Sequence, residues 1–176
     1  MKKFVSMVAV FIALAVVTIA GVSYYMIKTD KSDQEKAVLR VEELTKMKIN
    51  DVKVVKCDDT RDGWFGDGVR TVIIDFKNNE FKDNISKNKR MKKLPFPPNL
   101  QKFFYKNNNG QLNVSVDDNG KELIPKVKNG YYLFVNRKNN EDNMDDSKFL
   151  NDYSHDFSIV LFDSDTNRLY FVEYDS

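Results

Sequence analysis

At 176 residues the chain is about one domain long, with a net charge of +2. Outside Lys2 and Lys3, 26 basic residues balance 26 acidic ones, which argues against a nucleic-acid partner, whose domain would be strongly basic. A single cysteine, Cys57, rules out an internal disulfide, and a single histidine, His155, leaves little for a transition-metal cage; neither metal nor cofactor is expected.

After a short basic tail at 1–3, residues 4–27, "FVSMVAVFIALAVVTIAGVSYYMI", contain no charged side chain. At about 1.5 Å per helical residue this run reaches roughly 36 Å, enough to cross a hydrocarbon core near 30 Å. It is longer than the ~7–15 residues of a secretory h-region, so an uncleaved transmembrane signal anchor is expected. Tyr24 and Tyr25 fall where an aromatic belt would lie. Lys and Arg flank the run on both sides, but a short basic tail before a long domain favours a single span with the body extracytoplasmic. The expected location is therefore the cell membrane.

Residues 28–32 form a polar stalk, and 33–176 are expected to make one α+β domain. Ser32 with Glu35 suggests a capping box. Ala37, Val38, Val41, Leu44 and Met47 recur at helical spacing, predicting an amphipathic helix over 33–48 that packs on a mainly antiparallel sheet. "DVKVVKCD" (51–58) and "VRTVIIDF" (69–76) predict strands joined as a hairpin through Asp59–Gly68. In the second, Val72, Ile74 and Phe76 point one way and Val69, Thr71, Ile73 and Asp75 the other.

Residues 78–93 are lysine-rich with few apolar positions, which predicts a solvated helix or loop. "LPFPPNL" (94–100) is expected to be extended, because proline biases its predecessor away from helix. A short strand is expected at "LNVSV", between turn-forming segments. Three strands, 130–137, 155–162 and 168–175, close the chain, with "DSDTN" as the hairpin between the last two.

The stretch 60–68 holds the lone tryptophan and three glycines. Trp64, Phe65, Gly66, Asp67 and Gly68 are the candidate ligand-binding residues, offering a stacking face beside backbone amides. A strand follows these glycines where a dinucleotide fingerprint needs a helix, so the plainer reading is a turn leading into a strand. Asp163, Asp165 and Asn167 match the first EF-hand positions, but Arg168 replaces the required glycine, and the hand fails. Glu141, Asp142, Asp145 and Asp146 form an acidic connection that is more simply solvated than calcium-binding. His155 beside Asp156 is the clearest catalytic candidate, yet no nucleophile has a diagnostic context. No catalytic residue is assigned.

"GWFGDG", "MKKLPFPPNL" and "FSIVLFDSDTNRLYFVEYD" together resemble a group of uncharacterised small membrane-anchored or lipid-linked envelope proteins of low-GC Gram-positive bacteria. The resemblance implies an envelope address. Those proteins tend toward glycine-glycine-aromatic-histidine in the first motif, where this chain has Gly63-Trp64-Phe65, so a chemistry dependent on that histidine is not implied. The leading expectation is an anchored, extracytoplasmic binding domain for an envelope protein or wall component. The alternatives are an envelope hydrolase using a carboxylate and His155, or a cytoplasm-facing regulatory domain.

Overall fold

The computed structural model describes residues 18, 33–61, 67–105, 122–138 and 154–176. The predicted anchor at 4–27 lies outside the described residues apart from Thr18, and no helix among those described is long and apolar enough to cross a membrane. The "LNVSV" strand, the acidic connection at 141–146 and most of the 60–68 loop also lie outside them. The chain divides into two compact units, Met1–Ala37 and Val38–Ser176. In the first, Lys36 pairs with Asp33 at 3.3 Å across one helical turn.

Helix α1 covers described residues 33–45, close to the predicted span. Lys46, at φ 57°, breaks the helical path, and Val41, Leu44 and Thr45 are its buried positions in the larger unit. Its last carbonyls have no partner within a helix; here Arg90 Nε donates to the Leu44 carbonyl at 2.8 Å and Asn88 Nδ2 to that of Thr45 at 2.6 Å. Part of the lysine-rich stretch read as solvated is thus a helix cap.

The remaining elements are β1 (Val52–Asp59), β2 (Gly68–Phe76), α2 (Glu80–Ile85), β3 (Lys92–Lys93), α3 (Pro98–Tyr105), β4 (Gly130–Asn136), β5 (Phe157–Asp163) and β6 (Arg168–Asp175). The strands form one six-stranded sheet in the order β1-β2-β6-β5-β4-β3, antiparallel at every pairing. The expected α+β class and antiparallel sheet are both present. So are the β1–β2 hairpin and the β5–β6 hairpin, whose turn puts Asn167 at φ 54°. Asn167 Nδ2 ties that turn to the carbonyls of Phe76 and Asn78 at 3.2 and 2.8 Å.

Strand alternation divides the core into two faces. On one, Ile73, Tyr132, Phe134, Ile159, Leu161 and Val172 pack with Phe96, Leu100 and Phe104 from the segment that ends in α3. On the other, Phe81 of α2 stacks on Phe76 at 4.5 Å and meets Phe162 at 5.2 Å. Val72, Ile74 and Phe76 are buried together, as their alternation predicts. All seven residues of β5 are buried, which explains why its sequence is a nearly continuous apolar run.

The expected extended stretch 94–100 is corrected in its second half. The Leu94–Pro95 bond is cis, and α3 begins at Pro98. A proline at the first helical position lacks only an N–H that would have no helical partner, so it starts this helix where it would interrupt another. Leu100 and Phe104, one turn apart, are fully buried.

Arg168 forks onto Asp75 across the β2–β6 pair, Nε to Oδ1 at 2.5 Å and Nη2 to Oδ2 at 2.9 Å. This pairing holds the Asp75 carboxyl below its ordinary pKa, and the Arg61 guanidinium does the same for Asp59. A carboxylate with a depressed folded-state pKa contributes stability above its unfolded value of about 3.9, lost as pH falls through the folded value. Urea midpoints should therefore be flat above about pH 5 and decline below about pH 4. The Asp75 and Arg168 side chains are 37% and 35% exposed, so Arg168→Met should remove at most about 1 kcal/mol of that acid-sensitive stability. An acid limb unchanged in Arg168→Met would show that this pair carries none of it.

Candidate functional site

The five residues singled out from sequence lie in the chain between β1 and the start of β2. Trp64, Phe65 and Gly66 lie outside the described residues, while Asp67 is exposed and Gly68 opens β2. The base of the loop is tightly held. Thr60 N–H donates to the Val69 carbonyl at 3.0 Å, and Val69 N–H returns a bond to Thr60 Oγ1 at 3.0 Å. Gly68 sits at φ +148°, and a Cβ there would lie 2.8 Å from the Thr60 carbonyl oxygen. Glycine is therefore demanded by the crossing of two backbones, a structural reason independent of any ligand.

Beside that base lies a charged cluster with no counterpart in the sequence reading. Glu173, its side chain 6% exposed, accepts from Arg40 Nε at 3.1 Å and Arg61 Nη1 at 3.3 Å. Ser158 Oγ donates to it at 3.3 Å, and Arg70 Nη1 stands 3.8 Å away. Arg61 also forks onto Asp59 and reaches Asp175 at 3.0 Å, which raises its pKa well above the ordinary guanidinium value. Arg137 binds Asp175 and the Tyr174 carbonyl. Cations and carboxylates alternate here with their charges satisfied by one another, so the cluster is a fastener between α1, the hairpin and β6.

His155, through its backbone, and Asp156, through its side chain, are tied to Ser176. The His155 backbone N–H donates to Ser176 Oγ at 2.9 Å, and Asp156 Oδ1 accepts from the Ser176 backbone N–H at 3.0 Å. Asp163 binds its own turn, accepting from Asp165 N–H and Thr166 Oγ1 at 2.9 and 2.8 Å. Among the described residues, no group of three His, Cys, Asp or Glu side chains is placed to hold a metal ion.

An open cleft forms where α3 faces the segment 125–128. One depression, of about 330 Å³, is lined by Pro98, Gln101, Lys102, Tyr105 and Lys126. A second, of about 230 Å³, shares Gln101, Tyr105 and Lys126 and adds Leu94, Pro95, Phe96, Val127 and Lys128. Helical spacing builds the first wall: Pro98, Gln101, Lys102 and Tyr105 lie on one side of α3, while Leu100 and Phe104 anchor the other side in the core. Ile124 and Val127 anchor the second wall, leaving Lys126 and Lys128 exposed.

The cleft is well fixed. Gln101 Nε2 donates to the Phe96 carbonyl at 3.1 Å, and the Leu94 N–H to that of Gly130 at 3.0 Å. Phe96 packs edge-on to Tyr132 at 4.8 Å and lies 6.0 Å from the Tyr105 ring. The Tyr105 hydroxyl accepts from Val127 N–H at 3.3 Å. Burial pushes its pKa up, with the carboxylates of Glu122 and Asp163 adding to the effect. Tyr105 is therefore a neutral phenol at physiological pH, suited to hydrogen bonding and unsuited to act as a base.

Three ammonium groups, Lys102, Lys126 and Lys128, rim the cleft, and among the described residues no carboxylate lines it. Among the described residues none of the three pairs with an acid. A third depression, of about 420 Å³ by Leu39, Glu42, Glu43, Lys46, Met47 and Lys48, differs in carrying both signs; Glu42 and Glu43 already pair with Lys48 and Arg40. Among the described residues, the α3 cleft therefore combines positive charge with apolar lining. Comparison with protein-family models, curated proteins and solved structures returned no match.

Proposed function

We propose that this chain is a membrane-anchored binding domain that works outside the cell membrane by non-covalent recognition of an envelope protein or wall component. The α3 cleft is the observation that supports it: apolar lining, a neutral phenol and three ammonium groups that pair with no acid among the described residues form a surface for holding a ligand. The charge-free run at 4–27 supports the anchor, and the resemblance to small anchored envelope proteins supports the address. Trp64 and Phe65, which lie outside the described residues, are proposed from their sequence as a second contact.

Topology and capture test this together. With an epitope tag after Ser176, protease added to intact, wall-stripped cells should remove the tag, while the untreated protein sediments with membranes. In vivo cross-linking should then recover a partner on the wild-type chain, and recovery should fall several-fold for Lys126→Glu with Lys128→Glu, and for Trp64→Ala. A tag protected until lysis would reverse the orientation. Recovery unchanged in all variants, each shown to be folded by its melting curve, would remove both surfaces and the binding reading with them.

A further inference from the structure

We infer that the occupant of the α3 cleft is an extended acidic segment of a partner protein, with apolar side chains between its carboxylates; this rests on the binding reading above. The two depressions run into one another through Gln101, Tyr105 and Lys126, forming a short trough with an ammonium group on the α3 wall and two on the wall opposite. Lys92 and Lys93, on the strand leading to Leu94, extend the positive field, with Lys92 Nζ 6.0 Å from the centre of the Tyr132 ring.

Chemistry and dimensions select this ligand. An ammonium group is a point charge on a flexible stem that accepts a carboxylate from many directions. The planar fork best suited to phosphate is arginine's, and among the described residues no arginine lines the trough. A phosphate polymer would also leave the accessible apolar surface of Leu94 and Pro95 with nothing to cover it. An extended chain projects alternate side chains to opposite sides at about 3.3 Å per residue, so apolar residues descend toward Phe96 and Tyr105 while carboxylates rise to the lysine rim.

Fluorescence anisotropy on the full-length chain in detergent tests the assignment. The probes are a short labelled peptide of alternating glutamate and leucine, its glutamine-for-glutamate counterpart, polyglutamate of equal length, and inorganic polyphosphate. The alternating acidic peptide should bind tightest, and more weakly as salt rises. Lys126→Glu with Lys128→Glu should weaken it by about tenfold or more, since like charges then face each other, with the melting temperature unchanged. Lys102→Glu, on the opposite wall, should weaken it independently.

Polyphosphate binding as tightly as the peptide would overturn the peptide assignment and leave the cleft an anion site. Equal binding of the glutamine peptide would overturn the role of the lysines. Binding of none of these probes, while cross-linked recovery still falls in the lysine variants, would overturn the acidic-peptide assignment and spare the binding reading. If recovery too is indifferent to the lysines, the cleft has no place in either.

Discussion

Replacing Glu173 by glutamine should cost about 3 kcal/mol of unfolding free energy, because removing one partner of a buried ion pair strands the charges around it. The carboxylate serves Arg40, Arg61 and Ser158 directly and Arg70 at longer range. The three guanidinium side chains are only 12–20% exposed, so water replaces little of the lost attraction. Retained partners limit the loss: Arg40 keeps Glu43, and Arg61 keeps Asp59 and Asp175. The melting temperature should fall by on the order of 10 °C. Glu43→Gln, at a side chain 58% exposed, should change stability by no more than about 0.5 kcal/mol. Urea unfolding of both variants decides the matter, and a Glu173→Gln loss below about 1 kcal/mol would show that the cluster is held by its other carboxylates.

Gly130→Ala should be at least as damaging. A Cβ at this position would lie 1.9 Å from the Phe162 carbonyl oxygen and 3.0 Å from its carbonyl carbon. Neither atom belongs to a side chain that can rotate away. Phe162 is fully buried in a strand with neighbours on both sides and packs against Phe76 and Phe81, so relief requires β4 and β5 to separate. A loss of about 3 kcal/mol or more is expected from forced overpacking of this kind. The Gly130 carbonyl also accepts the Leu94 N–H, so the strain reaches one wall of the cleft. Low soluble yield or an early urea midpoint is the expected readout. Wild-type stability would mean that the two strands part at this end without cost.

The strands of the last third were legible because runs such as Phe157–Phe162 and Arg168–Tyr174 are rich in Val, Ile, Phe and Tyr, and these are buried on both faces. Helix α1 was legible from the spacing of Val41 and Leu44. Helix α3 was not, because three prolines in seven residues read as extended chain; the signal present was Pro98 followed by Leu100 and Phe104 one turn apart. That omission also hid the cleft, whose lysines come from segments more than twenty residues apart and were indistinguishable in sequence from solvated ones. The charged cluster was equally hidden, since Arg40 and Arg61 meet Glu173 and Asp175 only through tertiary structure. The chain has only six arginines. Five of them, Arg40, Arg61, Arg70, Arg137 and Arg168, make ion pairs, and Arg90 caps a helix. In so lysine-rich a chain, each arginine marks a place where a rigid fork is needed.

The position of β6 sets the order of events at birth. The final strand lies in the interior of the sheet, with β2 on one side and β5 on the other. Until it emerges, the β1–β2 hairpin and the β3–β4–β5 group are separate pieces with facing unpaired edges, and the carboxylates of Glu173 and Asp175 that gather the arginines do not yet exist in the chain. The sheet therefore cannot be completed progressively during synthesis. It closes in a single late step once Asp175 is available, and a ribosome stalled within the last strand would leave two half-sheets open to pairing with neighbours.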